Sequence, residues 1–371
     1  MLIAIDALPI NNLSGRHVLL GHLTNLTLAH RERHRFIVLH HRENRDLRRD
    51  LGHHVQWLEC PGVGSDWIGR LLWQSAHLHR LLTDLGADVV ISTSGALIPR
   101  VRMPQVVLAQ NPWCYVPEFH RGLADRIKAR LQRVGYRAAQ RQARGLFYLS
   151  EYVAARYRDD AGCGATDGRV LYVGIDQSTF DAAQPHRHFV ERELEVVTVS
   201  AMTRHKAIED VVQVLACVNT SGIAARLALV GPWSDVAYRA EIETLISRLG
   251  LRGQVTITGQ VSAARLHEHY ARARVFCLLS RCESFGIPAV EAQCFGTPTI
   301  VADVCAPPEV AGPGGRVVAA GAIDETTAVM RELLVDPDLW EAQSRRALSN
   351  AERFRWERVS TPLIEFFAEL Y

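Results

Sequence analysis

The sequence predicts an α/β protein built as two doubly wound halves, and three observations carry that prediction. At 371 residues the chain exceeds what one hydrophobic core usually organises, so two domains of roughly 150 to 200 residues are expected. Short apolar runs bounded by polar residues alternate with stretches of helical spacing, which is the pattern of parallel strands joined by crossover helices. The series then repeats in the second half after a break.

In the first half, strands are expected at Leu2–Ile5, Phe36–Leu39, Asp88–Ser92, Val106–Ala109 and Gly145–Leu149, with helices at Arg16–Leu28 and Leu123–Arg144. In the second half they are expected at Val196–Val199, Leu227–Val230, Val255–Ile257, Val275–Leu279 and Pro298–Val301, with a helix from Glu209. Asp176–Arg192, rich in His, Gln, Asp and Ala and containing Pro185, breaks the alternation and reads as the linker. The boundary is placed between residues 184 and 185, and the second domain spans 185–353. Two Rossmann-like domains facing each other across a cleft follow, with a ligand expected between the strand carboxyl ends. Gly312–Gly315 lacks the strand-turn-helix context of a phosphate cradle and reads as a loop.

Composition narrows the function. With 22% charged and 48% hydrophobic residues and a net charge of +2, the chain is an ordinary globular protein, not a bulk nucleic-acid binder. Met1–Ile5 lacks a basic leader and reads as a first strand, and no apolar stretch reaches the length of about 18 residues that a spanning helix needs, so a cytoplasmic protein is expected. The eight cysteines, at 60, 114, 163, 217, 277, 282, 294 and 305, show no paired short spacings, and neither zinc nor a disulfide scaffold is expected.

The most informative segment is Ser280–Thr299. Val275–Leu279 reads as a buried strand, so Glu283 hangs at its carboxyl end. Pro288 suits the first turn of a helix, and Gly296 with Pro298 suits its stop, which sets Glu291 in about the first turn. Between the two acids, Ser284, Phe285, Gly286 and Ile287 would aim backbone N–H groups and the positive end of the helix dipole at an anion, most naturally a diphosphate. A carboxylate accepts hydrogen bonds in pairs, so one acid can hold the vicinal hydroxyls of a ribose and the other those of a second sugar.

At these residues, written E-S-F-G-I-P-A-V-E, the chain resembles the retaining glycosyltransferases of family 4, whose fold is GT-B and whose signature is Glu, seven residues, Glu. The resemblance is sharp from about residue 196 to 311 and looser toward the N-terminus. It implies that Glu283 contacts the transferred sugar, that the amides of Phe285 to Ile287 contact sugar and phosphate, and that Glu291 binds the ribose. It further implies an acceptor-binding first domain, a donor-binding second domain, and a tail, 354–371, whose helix crosses back to the first domain. Val170–Asp176 resembles the stretch that closes the family's first domain.

The remaining site residues follow from the same resemblance. Ser200–Lys206 follows a strand, and Lys206 matches the family's diphosphate-binding Lys, while the usual Arg position holds Ala201 and Arg204 stands in for it. Val261, in Gly259–Val261, matches the loop whose backbone reads the nucleobase. Gly15, in Asn12–Gly15, matches the glycine loop near the donor phosphate. Where many members carry a His facing the sugar, this chain has Gln110 and Asn111, whose amides hold hydroxyls but are not general bases, and His120 follows nearby. Asp303–Val310 reads as a loop supporting the donor's far side, or as a plain turn.

Leu123–Arg144 carries Arg126, Arg130, Arg133, Arg137, Arg141 and Arg144 beside an apolar row, Ile127, Leu131, Val134 and Ala138, read as a buried face. The basic stripe is a solvated face or a contact with anionic lipid at the inner face of the membrane. The expected function is a metal-independent retaining hexosyltransferase. It would use a UDP- or GDP-linked sugar as donor, with no cofactor, and a hydroxyl of a glycan or lipid-linked acceptor, in cell-surface polysaccharide or glycolipid assembly. The rivals are an epimerase or phosphorylase on the same fold and a non-catalytic nucleotide-sugar-binding subunit.

Overall fold

The computed structural model describes residues 1–11, 13–49, 55–64, 66–120, 122–162 and 167–370, and divides into two compact units, Met1–Gly174 with Trp356–Tyr371, and Ile175–Arg355. Asn12 and Cys163 lie outside the described residues. Among the described residues no helix is long and apolar enough to cross a membrane.

In the first unit the strands are β1 (Leu2–Asp6), β2 (Arg35–His40), β3 (Val55–Glu59), β4 (Val89–Ser92), β5 (Gln105–Ala109), β6 (Gly145–Tyr148) and β7 (Arg169–Val170). In the second they are β8 (Glu193–Val199), β9 (Arg226–Val230), β10 (Val255–Gly259), β11 (Ala273–Leu278), β12 (Thr299–Ala302) and β13 (Gly315–Val318). Every described pairing between them is parallel, in the orders β3-β2-β1-β4-β5-β6-β7 and β10-β9-β8-β11-β12-β13. The inner strands are continuous apolar runs because helices cover both sheet faces: β1 and β5 are buried at every residue.

Three strands were not expected from the sequence. All are edge or next-to-edge elements with mixed exposure, so they lack a buried apolar run. The expected loop Gly312–Gly315 is a short turn that enters β13, and Asp303–Val310 contains the Pro307–Ala311 helix. The expected linker contains the Gln177–Ala182 helix. The break falls after Gly174, not at Pro185, because Ile175 pairs with Arg355 and its N–H donates to Phe354 at 2.7 Å.

Within the first unit, the C-terminal Thr361–Glu369 helix buries Leu363 and Phe367 in the same core as Leu19 and Leu23 of the Leu13–His30 helix. His22 Nδ1 lies 3.0 Å from Ser360 Oγ. Trp356 lies so close to Gly21 that a Cβ there would stand 2.1 Å from the indole, so this helix crossing requires glycine.

The first sheet reverses order between β1 and β4, and Asp6 ends β1 there, fully buried. Gln74 Nε2 donates to its carboxylate at 2.6 Å and Leu8 N–H at 3.2 Å, yet burial lifts its pKa from 3.8 to about 7. An acid whose folded pKa exceeds its unfolded one contributes stability that is present in acid and lost as pH rises from 3.8 to about 7. Ionisation of Asp6 therefore removes about 4 kcal/mol across that window. Asp6→Asn should flatten the loss: urea unfolding at about pH 5 and about pH 8 should show the wild type falling relative to the variant. Parallel pH profiles would contradict this.

Candidate active site

In the second unit the strand order reverses between β8 and β11. Ligands of open α/β sheets sit outside the strand carboxyl ends at such a reversal. Two loops meet there, 200–206 after β8 and 279–286 after β11. The Arg281 N–H donates to the His205 carbonyl at 2.7 Å, and the Lys206 ammonium pairs with the Glu283 carboxylate. These side chains are 12% and 15% exposed, shielded from water without being sealed from it.

Lys206 is aimed by its backbone. Arg204–Lys206 forms a single tight turn that ends on Ala207, buried at φ 49° in the left-handed region. A residue with a Cβ is held there only when its surroundings over-determine it, and Ala207 opens the Ile208–Thr220 helix with Ile208 buried behind it. Beneath this loop, β9 ends on Gly231 at φ 139°, where a Cβ would lie 1.9 Å from the Ser200 carbonyl. Only glycine permits that approach of the two strand ends.

The loop after β11 is anchored on both sides. Phe285 is 2% exposed and packs edge-on against Phe354 at 5.7 Å, so its side chain faces the core. Gly286, at φ 96°, precedes the Ile287–Cys294 helix, which has Pro288 in its first turn and no side-chain cap. A helix start without a side-chain cap presents N–H groups and positive dipole potential, a ready anion seat beside Lys206 and Glu283. The Ala306 N–H approaches the Glu283 carbonyl at 3.5 Å, so the Asp303–Val310 segment covers this loop's backbone.

Glu291 falls in the second turn of that helix, and Tyr270 donates its hydroxyl to Glu291 Oε2 at 2.8 Å. Tyr270 is fully buried, and burial together with the adjacent carboxylate pushes its pKa well above the ordinary tyrosine value. It is a fixed donor that orients Glu291. Sequence reasoning missed Tyr270, whose partner stands 21 residues away. Arg281 was missed too: its guanidinium reaches Asp210 at 3.3 Å and Glu209 at 3.4 Å, tying the Glu283 loop to the first turn of the Ile208–Thr220 helix. Its place two residues before Glu283, at a strand's carboxyl end, was the available signal.

Arg204 does not join the Lys206–Glu283 pair. Its guanidinium reaches Glu241 at 2.7 Å and Asp235 at 3.4 Å and lies 5.1 Å from the Tyr238 ring centroid. Acceptors on and beside the Val236–Arg248 helix draw it away. Val261 is half-buried between β10 and Ser262, which caps the Ala263–Arg272 helix.

The other candidates belong to the first unit. Gly15 lies in the first turn of the Leu13–His30 helix. Gln110 keeps a buried Nε2 without a hydrogen-bond partner among the described residues. Asn111 is exposed and accepts from the Trp113 N–H at 2.9 Å. His120 stacks 4.5 Å from the Trp113 ring, with Nε2 3.1 Å from the Trp113 carbonyl. The apolar row Ile127, Leu131 and Val134 is exposed, not buried: Ala129, Tyr136, Ala139 and Gln140 form the inner face of the Leu123–Gln142 helix instead. Gly135 explains the choice, since a Cβ there would stand 2.9 Å from that of Ala96, and only small residues permit so close a seat.

Residues 180–353 match the family model described as "Glycosyl transferases group 1". The MMP alpha-(1->4)-mannosyltransferase of Mycolicibacterium hassiacum is 29% identical over 234 residues, 61% of this chain and 54% of that protein. The alpha-D-kanosaminyltransferase of Streptomyces kanamyceticus is 25% identical over 302 residues, 77% and 78% of the two chains. The chain thus spans about half the length of the first relative. An Anabaena protein solved in complex with UDP superposes with a TM-score of 0.75 at 19% identity, covering 99% of each chain. The segment 180–353 therefore carries the glycosyl transferases group 1 pattern, and the two parallel sheets are those of the GT-B glycosyltransferase fold.

Proposed function

We propose that this protein is a retaining glycosyltransferase of the Glu-x7-Glu type, moving a hexose from a UDP- or GDP-linked sugar to a hydroxyl of a glycan or lipid-linked acceptor in cell-surface polysaccharide or glycolipid assembly. The observation that carries this reading is the Lys206–Glu283 pair at the reversal of the second sheet, beside a helix start without a side-chain cap. The group 1 match over 180–353 and the mannosyl- and kanosaminyltransferase relatives support it.

In this reading the diphosphate lies against Lys206 and the amides from Ser284 to Ile287, which stabilise the charge that grows on it as the anomeric C–O bond breaks. Glu283 holds hydroxyls of the hexose, and Glu291, oriented by Tyr270, holds the ribose. The acceptor hydroxyl attacks from the face the diphosphate leaves, its oxygen bonds the anomeric carbon, and its proton passes to a diphosphate oxygen. No side-chain nucleophile and no metal enters the scheme.

A thermal-shift screen of UDP, GDP and ADP, each alone and with its common sugars, tests the reading. One nucleoside diphosphate should raise the melting temperature of the wild type. Tyr270→Phe should weaken that nucleotide by about 3- to 10-fold, because Glu291 loses the hydrogen bond that orients it, and Glu291→Ala should weaken it further. A protein that responds to no nucleotide would sink the proposal.

A further inference from the structure

The Leu123–Gln142 helix of the first unit is packed inside out for its size classes. Its core-facing side is Ala129, Tyr136, Ala139 and Gln140, while Leu123 is 74%, Ile127 52%, Leu131 53% and Val134 59% exposed. Their spacing keeps all four on one stripe. A contiguous row of large apolar side chains on one helix differs from the scattered exposed leucine of an ordinary surface, and marks a place where something binds.

The charges beside the stripe say what binds. Arg133 and Arg137 share Asp160, and Arg141 donates to the Ala161 carbonyl at 3.2 Å, so these three are engaged. The Arg126 and Arg130 side chains make no ion pair or hydrogen bond among the described residues. They line, with Tyr115, His120 and Leu123, an open cleft of about 880 Å³ at the start of the helix. The Tyr115 hydroxyl is buried there without a hydrogen-bond partner among the described residues.

The geometry points to this face as a docking surface for a bilayer containing anionic lipid. Leu123, Ile127, Leu131 and Val134 enter the boundary between headgroups and acyl chains, and Arg126 and Arg130 take lipid phosphates. A lipid surface presents hydrocarbon and phosphate side by side at the spacing of one helix face, and no other common partner does so. A second copy fits poorly, because a two-fold contact on this face sets Arg126 and Arg130 against their own counterparts. Nucleic acid would leave the apolar row wet. The inference is independent of the transfer reaction, since none of these residues holds the donor.

Sedimentation of the full chain with phosphatidylcholine vesicles, with and without phosphatidylglycerol, tests it. The protein should bind only the anionic vesicles, and added salt should weaken binding. Arg126→Glu with Arg130→Glu should lower the partition coefficient by about 20-fold or more, as each arginine near an anionic surface contributes roughly a 5-fold factor. Ile127→Ser with Leu131→Ser should lower it by about 10-fold or more, by removing the inserted apolar area. All four positions are on the surface, and unchanged melting by circular dichroism confirms folding. Equal binding by either double variant, or equal binding to both vesicle types, overturns the proposal. So does a concentration-dependent dimer that the same variants abolish.

Discussion

Glu283→Gln should lose transfer by at least about 100-fold while keeping, or tightening, its affinity for the free nucleoside diphosphate. In the structure the Lys206 ammonium is already satisfied by Glu283, in a site where both side chains are mostly shielded from water. A diphosphate arriving beside Lys206 must share it with a carboxylate of its own sign. Removing the charge on Glu283 frees the ammonium and removes that repulsion, so UDP or GDP should bind as well as before or about 2- to 10-fold more tightly. The glutamine still offers one carbonyl oxygen, but it cannot accept two sugar hydroxyls as a carboxylate does, so the hexose is no longer held in line for attack.

Lys206→Ala should do the reverse, weakening the nucleotide and lowering kcat by about 100- to 1000-fold together, since it removes charge stabilisation from the departing group. Calorimetry with the nucleotide and steady-state kinetics with donor and acceptor separate the two patterns. A Glu283→Gln enzyme with wild-type kcat, or one that keeps its fold but loses both binding and turnover, would contradict the assigned role.

What could be read from the sequence, and what could not, divides along sequence distance. Pro288, Gly286 and Gly296 act within a few residues of where they stand, so the helix start between the two glutamates was legible, as were the inner strands, whose residues are buried on both faces. The loop that carries Lys206 was legible as the turn after a strand. The contacts of Tyr270 and Arg281 were not, because a tyrosine in a helix and an arginine in a loop look ordinary until the fold brings Glu291 and Asp210 to them from 21 and 71 residues away. The ion pair of Arg204 was hidden for the same reason: its partner, Glu241, is 37 residues downstream. In the Leu123–Gln142 helix, periodicity identified the apolar face correctly but not the direction it points. Close approach of Gly135 to Ala96 and the stacking of Tyr136 on Tyr157 fix which face turns inward, and hydrophobicity alone cannot see that.

The largest expected loss of stability is at Arg192, a residue that no motif singles out. It is 4% exposed, and its Nη1 donates to the carbonyls of Tyr270 at 3.2 Å and Ala273 at 3.0 Å and to Thr297 Oγ1 at 2.6 Å. Nη2 donates to the Phe295 carbonyl, Nε to the Arg187 carbonyl at 3.2 Å, and the guanidinium lies 4.8 Å from the Trp340 ring centroid. Ala273 and Phe295 are the C-caps of the Ala263–Arg272 and Ile287–Cys294 helices, so one cation meets the negative ends of the two helices that carry Tyr270 and Glu291. Burial lowers its pKa from the ordinary guanidinium value to about 9, still protonated at neutral pH.

Arg192→Leu would take this donor from the buried Ala273 and Phe295 carbonyls and leave the Tyr270 carbonyl with Thr297 Oγ1, at 2.7 Å, which should destabilise the second unit by about 3 to 5 kcal/mol in chemical denaturation. Arg192→Lys, with three donors and no planar fork, should recover part of the loss. Both variants should also weaken nucleotide binding, because the seat of Tyr270 loosens and Glu291 with it. A leucine variant within about 1 kcal/mol of wild type would mean that those carbonyls find other donors, and that the clamp is not what joins the two helices.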